Sequence, residues 1–166
     1  MAAQSMAPQG ENLLQKNADS FEGLTPQERD NLKVVMEELN GWDTQDVERV
    51  ISVMAPDGIY QDMTQAPAHG HDEIREFGRK WVSGAPDFRV HVEQFVVQDD
   101  TVVNRGVISG TIKGEFWGLP ATNKRFDLPY CQVAKVRNGK IVRIWDFSDS
   151  ATLAYQVGWQ EKPAYE

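Results

Sequence analysis

The chain has 166 residues with a formal net charge of −8, and 40% of its residues are hydrophobic. This length predicts one domain with a core and room for a pocket, and the acidic charge argues against nucleic acid as a partner. No apolar run approaches the roughly 20 residues that a bilayer crossing requires, which argues against a membrane partner. Residues 1–10 do not resemble a secretory signal, so we predict a cytoplasmic protein.

Metal binding has little support in the sequence. The single cysteine, Cys131, excludes an intramolecular disulfide and a thiolate zinc site. His69 and His71 flank Gly70 in a loop rich in proline and glycine, and His91 shares its strand face with charged residues. We therefore predict no metal site.

Helical periodicity begins after a polar leader. Residues 1–24 lack a periodic pattern, and we interpret them as a flexible N-terminal leader that precedes a domain over residues 25–158 and a C-terminal tail over 159–166. The segment Thr25-Pro26-Gln27-Glu28 is a capping box that starts a first helix, which ends at Asn40-Gly41. Two further helices are predicted, one between a cap at Asp43 or Thr44 and Pro56 and one over about 72–82.

Strand patterns dominate the second half of the chain. The predicted strands cover Gly58 to Met63, Phe88 to Val96, Thr101 to Phe116, Arg125 to Arg137 and Ile141 to Phe147, and a short helix follows over Ser150 to Val157. Asn138-Gly139 is a strong hairpin signal, because both turn positions need positive φ. Helices followed by a meander of strands predict an α+β fold in which three N-terminal helices pack on one curved antiparallel sheet. Gly106, Gly110 and Gly114 are where the long strand is expected to bend, closing a cone around a pocket.

Asp146 is the main candidate for a catalytic acid or base. It lies at the end of an apolar strand face, after Val142 and Ile144, where an isolated carboxylate must be paired or shifted in pKa. A structural role, as a turn cap or in an ion pair with an arginine, is the alternative. Strand alternation predicts further residues inside the cone, and Trp117 is placed at its mouth. The candidate substrate-binding residues are Tyr60, Asp62, Asn104, Trp117, Tyr130 and Gln132.

Three segments carry a family resemblance: Gly110-Thr111-x-x-Gly114-Glu115-Phe116-x-Gly118-Leu119-Pro120, Thr122-x-Lys124-Arg125, and Asn138-Gly139-Lys140-Ile141-Val142-x-x-Trp145-Asp146. They resemble the SnoaL-like polyketide and ester cyclases of the nuclear-transport-factor-2-like superfamily, whose fold is a cystatin-like α+β cone. The resemblance covers about residues 25 to 158. It implies a cofactor-free cyclase, or a related lyase or isomerase, that binds a hydrophobic or polyketide-like small molecule and uses Asp146 as general acid/base for an intramolecular aldol reaction.

Two departures from the family pattern favour a second hypothesis. Ile112 and Ile144 stand where many members have histidine. The second hypothesis is therefore a non-catalytic protein of the same fold that binds a small molecule.

A third hypothesis comes from a shorter resemblance. Tyr60-Gln61-Asp62-Met63, followed by Pro67-x-x-Gly70-x-Asp72, is similar to the water-binding loop of limonene epoxide hydrolases. In this comparison Tyr60 and Asp146 fit the pattern, Asp62 replaces an asparagine, and Gly106 and Ile108 replace the arginine and aspartate of that family. This resemblance implies a cofactor-free epoxide hydrolase.

The outer face of the sheet predicts a homodimer. Val103, Val107, Val133 and Trp145 share that face and form an apolar patch too large to leave exposed to water. The resemblance points the same way, because proteins of this superfamily commonly pair through this face.

Overall fold

A computed structural model describes residues 6–161, so residues 1–5 of the predicted leader and 162–166 of the predicted tail lie outside the described residues. The helices are α1 (Pro26–Asp43), α2 (Val47–Val53), α3 (Gly70–Gly84) and α4 (Ser150–Val157). The strands are β1 (Met54–Asp62), β2 (Ala68–His69), β3 (Arg89–Gln98), β4 (Thr101–Thr111), β5 (Arg125–Arg137) and β6 (Lys140–Ser148). None of the helices within residues 6–161 has the length and hydropathy that a bilayer crossing requires.

The six strands form one sheet in the order β2-β1-β6-β5-β4-β3. Neighbouring strands are antiparallel except for β1 and β6, which are parallel. The expectation of an antiparallel sheet is therefore wrong for this one pair, whereas the α+β class is confirmed. No tight turn joins β1 to β6, so no local connection forces them to run in opposite directions.

The first helix is longer than its turn signal predicts. The capping box is present, since the Thr25 hydroxyl accepts from Glu28 N and the Glu28 carboxylate accepts from Thr25 N. The helix then continues through Gly41, where an added Cβ would collide with Val50 of α2. Gly41 therefore permits a close helix contact and does not end the helix, and Asp46 caps α2 in place of the predicted Asp43 or Thr44.

A bulge in β6 changes which residues face the core. The register of β5 against β6 shifts between Lys135 and Val136. As a result Ile141 and Ile144 are fully buried, while Val142 is only half-buried. The prediction that Val142 shares the inner face with Asp146 is wrong, because a bulge inserts one residue and reverses the alternation that precedes it.

The leader packs against the domain from residue 6 onward. Leu14 and Ala18 are buried in the core, and the Asn12 side chain bonds Val90 O and Val92 N at 3.0 and 2.9 Å. The Arg29 guanidinium donates to the carbonyls of Ala18, Asp19 and Phe21. Within residues 6–24, the two short 3-10 helices Leu13–Gln15 and Ala18–Ser20 pack on β3 and α1. This segment therefore differs from the predicted flexible leader, because side chains far along the chain supply its partners.

Candidate functional site

Asp146 lies near the C-terminal end of β6, in register with Gln132 on β5 and Asp62 on β1. The Tyr60 hydroxyl donates to Asp146 Oδ2 at 2.9 Å. The other oxygen, Oδ1, is buried and has no hydrogen-bond partner among residues 6–161. The turn after β6 is capped by Asp149. The carboxylate is therefore held at one oxygen and left unpartnered at the other.

The environment of Asp146 favours its protonated form. Burial raises its pKa to about 7 from an ordinary value of 3.8, and the charge of Asp62 adds to this effect, while the Tyr60 hydrogen bond lowers the pKa by a smaller amount. Near neutral pH both forms of the carboxyl group are populated, which suits a group that takes and returns a proton. Burial also raises the pKa of Tyr60 well above its usual value, so its hydroxyl remains a donor.

This pKa shift predicts a pH dependence of stability. Between about pH 4 and pH 7 folded Asp146 keeps a proton that the unfolded chain has released, so the free energy of unfolding falls as pH rises. Asp146→Asn removes this loss. At about pH 8 we expect the free energy of unfolding of the variant to exceed that of the wild type by on the order of a few kcal/mol, which raises its melting temperature by several degrees. At about pH 4 the two proteins should melt at nearly the same temperature. Thermal unfolding followed by circular dichroism at both pH values measures this, and equal melting at about pH 8 would contradict it.

Asp146 opens onto a cavity of about 30 Å³ inside the cone. This volume holds about one or two water molecules. The wall is mainly apolar and aromatic, and it comprises Leu39, Trp42, Tyr60, Phe77, Trp81, Phe88, Val90, Ile108, Tyr130, Gln132 and Asp146. Three of the predicted substrate-binding residues, Tyr60, Tyr130 and Gln132, are thus brought together with Asp146. A larger ligand requires displacement of part of the aromatic wall.

Tyr130, which lines this cavity, has an unused hydrogen-bond donor. The residue is 6% exposed, and its hydroxyl is buried without a hydrogen-bond partner among residues 6–161. Burial raises its pKa well above its usual value, followed in effect by the charges of Asp146 and Glu38. The phenol is therefore neutral and can donate to an oxygen of a ligand.

Glu38 on α1 is a buried acid that the sequence reasoning missed. It is fully buried, its Oε1 accepts from Trp42 Nε1 at 2.6 Å, and Gln132 Nε2 lies 3.3 Å from the same oxygen. Burial raises its pKa to about 8, and the Trp42 hydrogen bond opposes this shift. A signal was present: Val35, Glu38 and Trp42 follow at helical spacing, which places the acid on the apolar stripe.

Asn104 stands beyond the wall of the cavity. Its side chain is 1% exposed and donates through Nδ2 to Gln132 Oε1 at 2.9 Å. Asn104 therefore holds the amide of Gln132 by a hydrogen bond and does not line the cavity itself.

Asp62 and Trp117 lie outside the cavity. The Asp62 carboxylate accepts from Thr64 N and Thr64 Oγ1 at 2.8 and 2.7 Å, which directs it into the turn after β1. Both residues line a neighbouring groove of about 160 Å³, and Trp81 borders the groove as well as the cavity. Asp62 thus acts on Asp146 through its charge and not through contact.

Trp117 has a strained backbone conformation in a turn that borders the groove. Phe116 and Leu119 are joined by two backbone hydrogen bonds of 2.9 and 3.0 Å across the turn Trp117-Gly118. Both turn residues have positive φ, 49° for Trp117 and 80° for Gly118, and a tryptophan rarely adopts this conformation. Its ring contacts that of Trp81 edge to face, with 5.8 Å between centroids. The turn therefore places an aromatic barrier between groove and cavity.

The remaining candidates play other roles in the fold. Ile112 and Ile144, which the sequence marked as departures from the family pattern, are fully buried in the core. Within residues 6–161 there is no group of three or more His, Cys, Asp or Glu residues that could hold a metal ion. The ring of His71 contacts Met54 O at 3.1 Å, and that of His91 contacts Gln9 O at 3.3 Å.

Comparison with known proteins identifies the family. The model of the SnoaL-like polyketide cyclase family matches residues 33–157, which is more than half of the chain. The chain belongs to the SnoaL-like polyketide cyclase family. The resemblance noted in the sequence is confirmed by this match. No curated protein sequence matches this SnoaL-like protein.

Solved structures share the fold of this SnoaL-like protein. A proposed SnoaL-like polyketide cyclase from Jannaschia sp. CCS1 superposes with a TM-score of 0.77 at 19% identity, covering 86% of this chain and all (100%) of the other. AclR, a proposed hydroxylase from Streptomyces galilaeus, gives 0.72 at 20% identity over 82% and 86% of the two chains. IdmH, a proposed polyketide cyclase from Streptomyces antibioticus, gives 0.66 at 24% identity over 77% and 98%. These likenesses confirm the nuclear-transport-factor-2-like α+β fold.

Proposed function

We propose that this SnoaL-like protein is a cofactor-independent cyclase, or a related lyase or isomerase, in which Asp146 is the general acid/base. One observation carries the proposal. Asp146 is anchored at Oδ2 by Tyr60, its Oδ1 and the Tyr130 hydroxyl are buried without hydrogen-bond partners among residues 6–161, and both residues line the same cavity. Buried polar atoms normally have partners, so two without any in one cavity indicate a site built for polar groups of a ligand.

The two groups fit the steps of an intramolecular aldol reaction. Asp146 Oδ1 takes a proton from a carbon flanked by carbonyls, and the electron pair of the C–H bond forms an enolate. The Tyr130 hydroxyl donates a hydrogen bond to the enolate oxygen, where negative charge develops. The enolate carbon then attacks a second carbonyl of the same molecule, and protonated Asp146 returns its proton to the resulting alkoxide. A proton acceptor with a pKa of about 7 serves both transfers.

The side chains that line the cavity indicate the class of substrate. Apart from Tyr60, Tyr130, Gln132 and Asp146, the side chains around the cavity are apolar or tryptophan. Such a wall favours a hydrophobic, polyketide-like molecule whose carbonyls are its main polar groups. Asp62 and Trp117, in the adjacent groove, are proposed to contact the part of the substrate that extends beyond the cavity.

The experiment uses a synthetic triketone as the probe. An acyclic nonanetrione, whose acidic methylene lies between two carbonyls and whose third carbonyl is placed for six-membered ring closure, is incubated with the purified protein. Cyclised product, measured by liquid chromatography and mass spectrometry, is expected above the uncatalysed rate. Native mass spectrometry of the purified protein identifies any co-purified ligand. A retained ligand with no turnover of the probe or of that ligand would favour the non-catalytic binding protein.

The size of the cavity favours epoxide hydrolysis as a second candidate. About 30 Å³ holds a water molecule beside Asp146, Tyr130 and Gln132, as a water-activating enzyme needs. However, Asp62 is turned into its own loop by Thr64, so it does not reach that water. Formation of a diol from an epoxide such as limonene oxide distinguishes this hydrolase from the cyclase.

We also propose a homodimer formed through the outer sheet face. Val96, Val103, Val133 and Trp145 are paired in one row across four strands, β3 to β6. Val96 is 52% exposed, whereas Val107 is 5% exposed within the single chain, so the prediction that Val107 belongs to the exposed patch is wrong. Val103, Val133 and Trp145 are half-buried, and an apolar row of this kind favours a second copy as its cover.

Light scattering after gel filtration tests this interface. The wild type is expected to have twice the mass of one chain. Val133→Glu places a charge in the middle of the row and is expected to yield monomers, because an unpaired carboxylate is costly to bury. Arg79→Glu, on the exposed side of α3, is the matched control and should leave the dimer intact. A monomeric wild type, or a dimeric Val133→Glu, would contradict the proposal.

Nucleic acid, membrane and metal partners form no part of this proposal. A cytoplasmic location remains a prediction from the sequence.

A further inference from the structure

A relay of three buried side chains stands behind the wall of the cavity. Glu38 from α1, Gln132 from β5 and Asn104 from β4 are 0%, 1% and 1% exposed. Asn104 Nδ2 donates to Gln132 Oε1 at 2.9 Å, and Gln132 Nε2 lies 3.3 and 3.4 Å from the two oxygens of Glu38. Of the three, Gln132 lines the cavity beside Asp146. The relay therefore connects a buried acid to a side chain that a ligand can touch.

Glu38 has the surroundings of a neutral acid. It takes part in none of the ion pairs of the described residues, and the groups that face it are Trp42 on its own helix and Gln132 on β5. The charge of Asp146 on β6 acts against its ionisation, and Tyr60 and Tyr130 also interact with it electrostatically. A buried carboxyl group without a cationic partner favours its protonated form.

The amide hydrogen bonds of the relay can run in either direction, and a proton on Glu38 favours one of them, because its O–H needs an acceptor. When Glu38 is ionised, donation runs from Asn104 through Gln132 to the carboxylate, and Asn104 Oδ1 is left without a partner. When Glu38 carries a proton, its hydroxyl donates to the Gln132 carbonyl. Gln132 then turns its NH₂ toward Asn104, whose amide turns in the same way. The oxygen and the NH₂ of an amide have similar shapes, so this reversal needs only a half-turn of each group.

We propose that Glu38 is a positioning residue of the candidate site, which in its neutral form fixes the amide of Gln132 in the cavity wall and on ionisation reverses it. The inference rests on the function proposed above, because the reversal matters only where a ligand contacts Gln132. It predicts that the Gln132 amide has the orientation that a substrate requires only while Glu38 is neutral. Activity is then lost as Glu38 ionises, on the alkaline side of the transition that belongs to Asp146.

Nuclear magnetic resonance tests the relay without any substrate. In ¹⁵N-labelled protein, the side-chain amides of Gln132 and Asn104 are expected to titrate together at alkaline pH, with the indole N–H of Trp42. Glu38→Gln, which mimics the neutral acid, should abolish this titration, while Glu37→Gln, at the half-buried neighbour that is paired with Arg49, should retain it. Persistence of the titration in Glu38→Gln, or its absence from the wild type, overturns the proposal.

Two further measurements keep the test decisive. In Asp146→Asn the midpoint of the amide titration should move to lower pH, because a like charge has been removed. An unchanged midpoint counts against the proposal even if Glu38→Gln fails to fold.

The rate of nonanetrione turnover provides the second measurement. The wild-type rate should fall about tenfold per pH unit above the transition, whereas the rate of Glu38→Gln should lack this alkaline fall. Absence of all turnover is a failure of the proposed function alone, since the amide titration is read separately.

Discussion

Asp146→Asn is expected to lower turnover of the nonanetrione by about 10²- to 10⁴-fold, the range attributed to one general acid/base. Asparagine has nearly the same shape as aspartate and can still accept the hydrogen bond of Tyr60, which is 2.9 Å long in the wild type. It cannot take a proton at the position of Oδ1. The measurement is the initial rate of cyclisation at saturating probe, with KM determined in the same experiment so that a loss of binding is separated from a loss of chemistry.

Asp99→Asn is the matched control for this substitution. Asp99 is an exposed turn residue with a φ of 53°, a conformation that asparagine tolerates well. The control variant should keep the wild-type rate. Unchanged turnover in Asp146→Asn, with native circular dichroism, would remove Asp146 from the chemistry and leave a binding or structural role.

The alternation of strand residues predicted much of this site from sequence. Tyr130 and Gln132 were placed beside Asp146 because alternation along each strand assigned them to the inner face, and Gln132 is indeed paired with Asp146. Once a hairpin register is fixed, a period of two assigns each side chain to a face. The error at Val142 shows the limit of this reasoning, because nothing local to the sequence announces a bulge.

Glu38 could not be placed by the same reasoning. Its position on the stripe of α1 is visible in the sequence, but an acid there is equally consistent with the edge of an apolar face. Its burial depends on Gln132, 94 residues away, which offers a hydrogen bond at the point where helix and sheet meet. Tertiary contacts of this kind decide whether a polar side chain is accommodated in a core.

Asp62 lies on the predicted face of the sheet, but its side chain points in a direction that was not predicted. It is paired with Asp146 across β1 and β6, as a common face requires. However, β1 ends at this residue, and the turn that follows supplies Thr64 as a partner for the carboxylate. Short polar side chains readily bond their own backbone at the end of a strand. The face of a residue was therefore predictable, whereas the direction of its side chain depended on the loop.

Tyr130→Phe is expected to lower turnover by about 10²- to 10³-fold, as removal of one donor to a developing oxyanion does. The substitution deletes one hydroxyl and leaves the ring in the cavity wall. The proton acceptor is retained, so the acidic limb of the pH–rate profile should stay where Asp146 places it, near pH 7. Tyr155→Phe on α4, outside the cavity, is the control and should retain the wild-type rate. A change confined to KM would instead assign Tyr130 to binding.

The same variant separates a functional hydroxyl from a structural one. In the wild type the Tyr130 hydroxyl is buried with no hydrogen-bond partner among residues 6–161, and such a group costs about 1 to 3 kcal/mol of desolvation without return. Tyr130→Phe should therefore be at least as stable as the wild type in urea unfolding while losing turnover. A residue kept for the core would show the opposite, lower stability with turnover retained. Gain of stability with loss of activity is the expected signature of a polar group whose partner is the substrate.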